Sequence, residues 1–217
     1  MKHAELYRTK FDAALKRFRG LSKKAVGVVL KEQARGVLRK VTDFTPPGGG
    51  GVQGTEAKKR GEAKVVGDIR KLMERGRGKN ISGESAADVH RRNRDSRGRV
   101  RRELSPKIKV RASDLAKLIR DKKRMVGFLA SGWKAAASKF GARLPAWINR
   151  HAGPGSGRVR LNATMVEVSA TNSVSYASRM DIERRLQSAM NLQAAAMLRQ
   201  VEHLAAKEAA RKAGFRA

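Results

Sequence analysis

The stretch GFLASGWKAAASKFGARLPAWINRH, residues 127–151, decides the fold of this chain, because it contains both tryptophans of a sequence that has few aromatic side chains. Each tryptophan follows residues that are small or that end a helix, so neighbouring backbones can approach closely beside a large ring. The spacing predicts a wedge held between packed elements. The simpler alternative is that each ring only fills the core. The candidate wedge residues are Gly127, Leu129, Gly132, Trp133, Pro145 and Trp147.

Amphipathic helices are predicted on both sides of this stretch. From Ser22 to Phe44, apolar residues recur at three- and four-residue intervals, and the pattern stops before Pro46. The longest such stripe begins at Ile182 and continues to Ala205. The other predicted helices cover about 4–19, 55–73 and 114–125.

Strands are predicted where β-branched and polar residues alternate. The pattern is short over residues 106–112 and longer over 158–178, where Val166 and Val168 flank Glu167. No β-α-β unit repeats. The prediction is therefore an α+β fold in which long N- and C-terminal helices pack a small antiparallel sheet, with the C-terminal helix across that sheet.

Two glycine-rich stretches, PPGGGGVQG at 46–54 and GPGSG at 153–157, are typical of flexible connectors. Residues 74–106 carry a dense arginine run and few apolar side chains, so we expect a long basic arm or loop that does not fold by itself. Residues 22–73 are expected to join the α+β core in one domain. The predicted segments are 1–54 (N-terminal helices and connector), 55–106 (a helix and the basic arm) and 107–217 (the α+β core with the long C-terminal helix).

The charge points to a negative partner. The chain of 217 residues has 50 Lys and Arg against 19 Asp and Glu, a formal net charge of +31. Such a field attracts polyanions or acidic protein surfaces. With no cysteine, disulfides and thiolate chemistry are excluded. Residues 1–10 lack the apolar core of a signal peptide and the apolar runs are too short to span a bilayer, so we expect synthesis in the cytoplasm and no membrane partner.

No motif for catalysis stands out in the sequence. The histidines have no second His or Glu at the spacing of a metal site. The glycine runs lack the Lys-Ser/Thr ending of a phosphate loop, no Gly-x-Ser-x-Gly elbow occurs, and the carboxylates are scattered among bases. We therefore expect no catalytic residue, no metal and no cofactor, and a protein that is not an enzyme. The histidines are His3, His90, His151 and His203.

The segment RRNRDSRGRVRR, residues 91–102, has seven arginines and one acid. It could dock on acidic patches of neighbouring subunits, which we favour, or contact DNA phosphates without sequence preference. Because it has no aromatic residue for stacking on bases, it gives no support to sequence-specific recognition. The candidate contact residues are Arg91, Arg92, Arg94, Arg97, Arg99, Arg101 and Arg102.

The order of these features resembles the tail-completion or neck (head-to-tail joining) proteins of long-tailed bacteriophages, including minor tail protein Z. The resemblance extends over roughly residues 22–215. In that family a Gly-x-Leu segment and a later Val-x-Tyr-Ala strand recur, and the second of these corresponds to Val174, Tyr176 and Ala177. Gly127 and Leu129 correspond to the Gly-x-Leu segment. The matching pieces are TPPGG (45–49), KKRGEAKVVGDIRKLM (58–73), RMVGFLASGWKAAASKFGARLPAWINRH (124–151) and NSVSYAS (172–178).

The resemblance implies a structural virion protein that forms a ring of about six copies at the head–tail junction or in the tail. Its implied partners are further copies of itself, the portal-side connector, and the tail tube or terminator proteins. Contact with packaged DNA is a further implied possibility. The rival hypothesis is a basic protein that binds nucleic acid non-specifically, which explains the charge equally well but leaves the tryptophan stretch unexplained.

Overall fold

The computed structural model describes residues 9–22, 26–77, 81–95, 98–161 and 166–212. Two compact units are formed. The hairpin unit comprises the chain up to Thr45 and from Leu129 onward, and the inserted unit is Pro46–Phe128. Helices and strands occur in both units, so the predicted α+β class is confirmed. The boundaries differ from the predicted ones at 54 and 106, because residues 46–54 and 107–128 also belong to the inserted unit.

The described elements follow one another in the order helix, helix, helix, strand, helix, strand, then four helices, two strands and a final long helix. They are α1 (Thr9–Ser22), α2 (Val26–Phe44), α3 (Gly54–Arg70), β1 (Met73–Arg75), α4 (Ala86–Arg92), β2 (Ile108–Val110), α5 (Ala112–Arg124), α6 (Phe128–Ser131), α7 (Lys134–Phe140), α8 (Ala146–Asn149), β3 (Gly155–Leu161), β4 (Val166–Asn172), a 3₁₀ turn (Ser178–Met180) and α9 (Ile182–Lys212).

Three long helices form one side of the hairpin unit. Helix α9 lies along α1 and α2, and its predicted apolar stripe supplies the buried Met190, Ala194 and Met197. These pack with Phe11 and Phe18 of α1. Burial of such side chains contributes about 25 cal/mol per Å² of apolar surface, which is the main stabilisation of this layer. The expectation that α9 lies across the sheet is thus corrected, since α9 chiefly contacts the other long helices.

The antiparallel sheet of the hairpin unit is the pair β3–β4. Gly155 is opposite Asn172, and Val159 is opposite Val168. Helix α7 lies against β3, and α2 contacts β4. Helix α2 therefore has the long helices on one part of its surface and the sheet on another.

The inserted unit has its own core, built on α3, α4 and α5 around the parallel pair β1–β2. Met73 is opposite Ile108, and Arg75 is opposite Val110. The buried side chains include Ile69, Leu72 and Val89. Two parallel neighbours need a crossover connection, and residues 76–107, with α4, provide it.

The described part of the basic stretch 74–106, expected to be a long arm or loop that does not fold by itself, is mostly loop with helix α4, and it packs on α3 and α5. Ala86 and Val89 of α4 are buried, and the Leu104 N–H donates to the Lys71 carbonyl at 3.0 Å. The expectation considered this stretch in isolation, where its few apolar residues cannot form a core. Their partners come from α3 and α5, which lie on either side of it in sequence.

Candidate functional site

Trp133 is at the centre of the hairpin unit, where 2% of its surface is exposed. Its indole Nε1 donates to Thr45 Oγ1 at 3.1 Å, and that hydroxyl in turn donates to the Val41 carbonyl at 2.6 Å. These two buried hydrogen bonds join the end of α2 to the start of α7. A buried indole N–H with a partner avoids the cost of an unpaired donor.

Small residues around Trp133 bring α6 and α7 directly onto β3. A methyl carbon added at Gly132 would lie 2.1 Å from Asn172 Oδ1, and one at Gly155 would lie 1.9 Å from the Gly132 carbonyl oxygen. The Gly153 N–H also donates to Ser131 Oγ at 3.0 Å. No side chain larger than hydrogen fits at these glycines without displacing backbone or buried polar atoms.

GPGSG at 153–157 is therefore not the flexible joint that we expected. Gly155 and Gly157 are the first and third residues of β3, on the same face of the strand, and a methyl carbon at Gly157 would lie 2.3 Å from Ala136 Cα. The alternation of glycine at 153, 155 and 157 is the sequence signal that could have revealed this contact, because residues two apart lie on one face of a strand.

Of the other predicted wedge residues, three lie in the hairpin unit and Gly127 lies in the inserted unit. Leu129 is buried in the hairpin unit, and Pro145 precedes α8 at its N-terminus. Trp147 is half-buried, and its Nε1 is buried with no hydrogen-bond partner among the described residues. Gly127 belongs to the inserted unit and has a φ of 101°, which side chains other than hydrogen rarely allow.

The predicted Val-x-Tyr-Ala strand is wrong in its secondary structure. β4 ends at Asn172, and the following residues turn into the 3₁₀ segment, with the Ala177 N–H donating to the Val174 carbonyl at 2.8 Å. Val174 and Ala177 are buried, while Tyr176 is 38% exposed. Partial burial raises the pKa of Tyr176. The turn forms because Asn172 Oδ1 accepts from the Val174 N–H at 3.2 Å and takes over the role of a strand partner.

Most of the predicted contact arginines lie on the surface of the inserted unit. Arg102 is exposed, Arg101 Nε donates to the Arg94 carbonyl at 3.0 Å, and Arg97 lies outside the described residues. Three others form exposed ion pairs, which contribute about 0–1 kcal/mol each and are easily exchanged for another anion. These pairs are Arg91–Asp88 (2.5 Å), Arg92–Glu84 (2.6 Å) and Arg99–Asp95 (3.1 Å).

Arg94 differs from its neighbours because its partners are uncharged. Its Nε and Nη2 lie 3.1 Å and 2.8 Å from His90 Nε2, and its Nη1 donates to the Gly98 carbonyl. Burial, and then the charges of Arg94 and Lys122, lower the pKa of His90 to about 4. The imidazole is therefore neutral at pH 7 and accepts from the guanidinium. Sequence analysis missed this pair, although the four-residue spacing on a helix places both side chains on one face.

The described residues contain no group of three or more His, Asp or Glu side chains arranged to hold a metal ion. In the same part of the chain, no helix combines the length and the apolar character needed to cross a bilayer.

Comparisons with models of known protein families, with curated proteins and with solved structures found no match. Function is therefore inferred from the residues of this chain alone.

Proposed function

We propose that this protein is a structural subunit of a tailed-phage virion, acting at the head–tail junction or in tail completion, and that it has no catalytic role. The observation that carries the proposal is the packing of residues 127–157. Trp133 is buried, and the glycines around it bring α6 and α7 close to β3, so this part of the segment forms core and not a substrate pocket.

The remaining surface suits assembly. The net charge of the chain is strongly positive, and Arg91 and Arg92 of the inserted unit form only exposed ion pairs, which are weak. A ring subunit needs two different surfaces that meet in neighbouring copies, and an inserted second unit can supply one of them. Acidic faces of the adjoining rings would then bind the basic surface.

The first test removes positive charge from the basic surface in virions. Arg91, Arg92, Arg99, Arg101 and Arg102 are replaced by Gln, and head–tail joining is scored by electron microscopy. A charge-matched control changes exposed residues of the hairpin unit. These are Lys139, Arg143, Arg184, Arg199 and Lys207.

We expect unjoined heads and tails from the first variant and normal particles from the control, because docking needs a localised charge. Normally joined particles that lose their DNA would instead assign the surface to packaged DNA. Normal, infectious particles from both variants would contradict the proposal.

A free nucleic-acid-binding protein is the second candidate, favoured by the net charge of +31. It predicts that the purified protein elutes with nucleic acid and loses it as salt rises, with log K falling linearly against log salt. The virion proposal predicts that, at high salt and free of nucleic acid, the protein still associates with connector or tail protein. Light scattering after size exclusion distinguishes the two.

A further inference from the structure

A cleft of about 640 Å³ opens on the inserted unit, where α3, α4 and α5 meet. Its apolar lining includes Val65, Leu118 and Val126. Met125 also lines the cleft and is 51% exposed, which is unusual for so large an apolar side chain. All the lining residues belong to the inserted unit.

The cleft is also lined by cations, and within the described part of the chain neither Arg94 nor Lys122 forms an ion pair with a carboxylate. Arg94 is held by His90 and the Gly98 carbonyl, both neutral, so its full charge remains directed at the cleft. Lys122 is exposed and close enough to lower the pKa of His90. The third cation, Arg91, is already paired with Asp88. Holding a guanidinium in place with neutral acceptors leaves it ready to bind an anion without breaking an ion pair.

The lining chemistry selects among anionic partners. The apolar part is aliphatic. The aromatic ring in the lining, His90, is only 5% exposed and is contacted by Arg94, so it offers little surface on which a base could stack. A peptide that carries an aliphatic side chain next to carboxylates satisfies both parts. Its apolar group would cover Leu118, Val126 and the exposed Met125, while its carboxylates meet Arg94 and Lys122.

We propose that this cleft is a docking site for an acidic, leucine-type segment of a partner protein. The apolar anchor provides specificity, and Arg94 and Lys122 orient the carboxylates beside it. The proposal holds whether or not the protein is a virion component.

The test uses the full chain and a fluorescein-labelled synthetic peptide of repeated Leu-Glu-Glu units, with binding followed by anisotropy at physiological ionic strength. The variant R94Q/K122Q is compared with R111Q/K117Q, which removes the same charge from exposed residues outside the cleft. We expect the first to weaken binding about ten-fold and the second no more than about two-fold.

Two further comparisons test the apolar part. Replacing Leu by Ala in the peptide, or Met125 by Ser in the protein, should each weaken binding several-fold. Met125 is exposed, so its replacement leaves the core intact. Equal losses in the two double variants, or equal binding of the Ala peptide, would overturn the proposal. So would an oligothymidylate whose binding is weakened by R94Q/K122Q far more than by R111Q/K117Q, since the cleft would then bind nucleic acid.

Discussion

Single glycines set the closest approach in the hairpin unit. A methyl group at Gly155 would overlap two backbone oxygens, those of Gly132 at 1.9 Å and Thr171 at 2.6 Å. Backbone atoms cannot move aside as a flexible side chain can. We therefore expect Gly155→Ala to lower the free energy of unfolding by about 2–4 kcal/mol, measured by urea denaturation.

The matched change is Gly20→Ala in the exposed part of α1, where no atom lies within 4 Å of the added carbon. It should stabilise the protein by up to about 1 kcal/mol, because alanine favours helix over glycine. Equal effects of the two substitutions would contradict the close packing of α6 and α7 on β3.

The two tryptophans differ in their hydrogen bonding, so replacing each by phenylalanine should change the free energy of unfolding by different amounts. Trp133→Phe loses the bond to Thr45 and buried volume, at a cost of about 1–3 kcal/mol. Trp147→Phe removes a buried N–H that has no partner among the described residues, and this gain offsets the lost contacts. We expect a change below about 1 kcal/mol for Trp147→Phe, by the same denaturation measurement. A larger loss at Trp147 than at Trp133 would show that the indoles have been assigned the wrong roles.

At the scale of elements, α2 and α9 are aligned by a polar contact. Lys40 Nζ donates to Gln193 Oε1 at 2.6 Å, and Gln193 Nε2 donates to Gln33 Oε1 at 2.6 Å. Gly36 makes room for the amide, since an added methyl carbon would lie 2.6 Å from it. The Gln193 side chain can move aside, but it then loses its hydrogen bonds to Lys40 and Gln33. Gly36→Ala should therefore destabilise the unit by no more than about 1 kcal/mol, because alanine's higher helix propensity offsets part of this loss, as measured by the thermal midpoint.

The double variant Gly36→Ala/Gln193→Ala removes the clash and should recover much of that loss, which a double-mutant cycle measures. Strict additivity of the two substitutions would mean that the two helices are not aligned by this contact.

Helix α4 should make stability depend on pH through His90, which is 5% exposed. Its pKa falls from 6.5 to about 4 on folding, opposed only in part by Asp68. The unfolded chain therefore binds a proton that the folded chain does not between these values. Stability is complete above about pH 6.5 and falls by the order of 2–3 kcal/mol as pH drops towards 4.

His90→Gln keeps an acceptor for Arg94 but cannot be protonated, so it should lose less stability than the wild type between pH 7 and pH 4. His203→Gln, at an exposed site of α9, is the control and should behave as the wild type. Denaturant titrations at several pH values provide the comparison. A His90→Gln profile parallel to the wild type would refute the role given to this side chain.

The positions of the helices could be predicted from the sequence more fully than their packing could. The stripe of α9 follows from helical periodicity alone, and so does the end of α2 before Pro46. The role of Gly155 could not be read in the same way, because glycine is equally suited to a flexible joint and to a close backbone contact. The fold of residues 74–106 depends on apolar partners in the flanking helices α3 and α5, and Ala86 and Val89 give no local sign of this packing.

At the scale of the whole molecule, the two units carry different features of the sequence. The hairpin unit uses the aromatic and glycine residues for a rigid core, and the inserted unit carries the arginine-rich surface and the cleft. A net charge of +31 would speed the encounter with any acidic partner and make each such contact sensitive to salt.

The most direct test of the proposed virion role is the copy number of this chain in purified particles of the phage that would encode it. Quantitative mass spectrometry against the portal protein measures it after washing at high salt. A ring subunit predicts a fixed number of about six copies per particle, retained through the wash. Absence of the chain from intact, infectious particles would contradict the account.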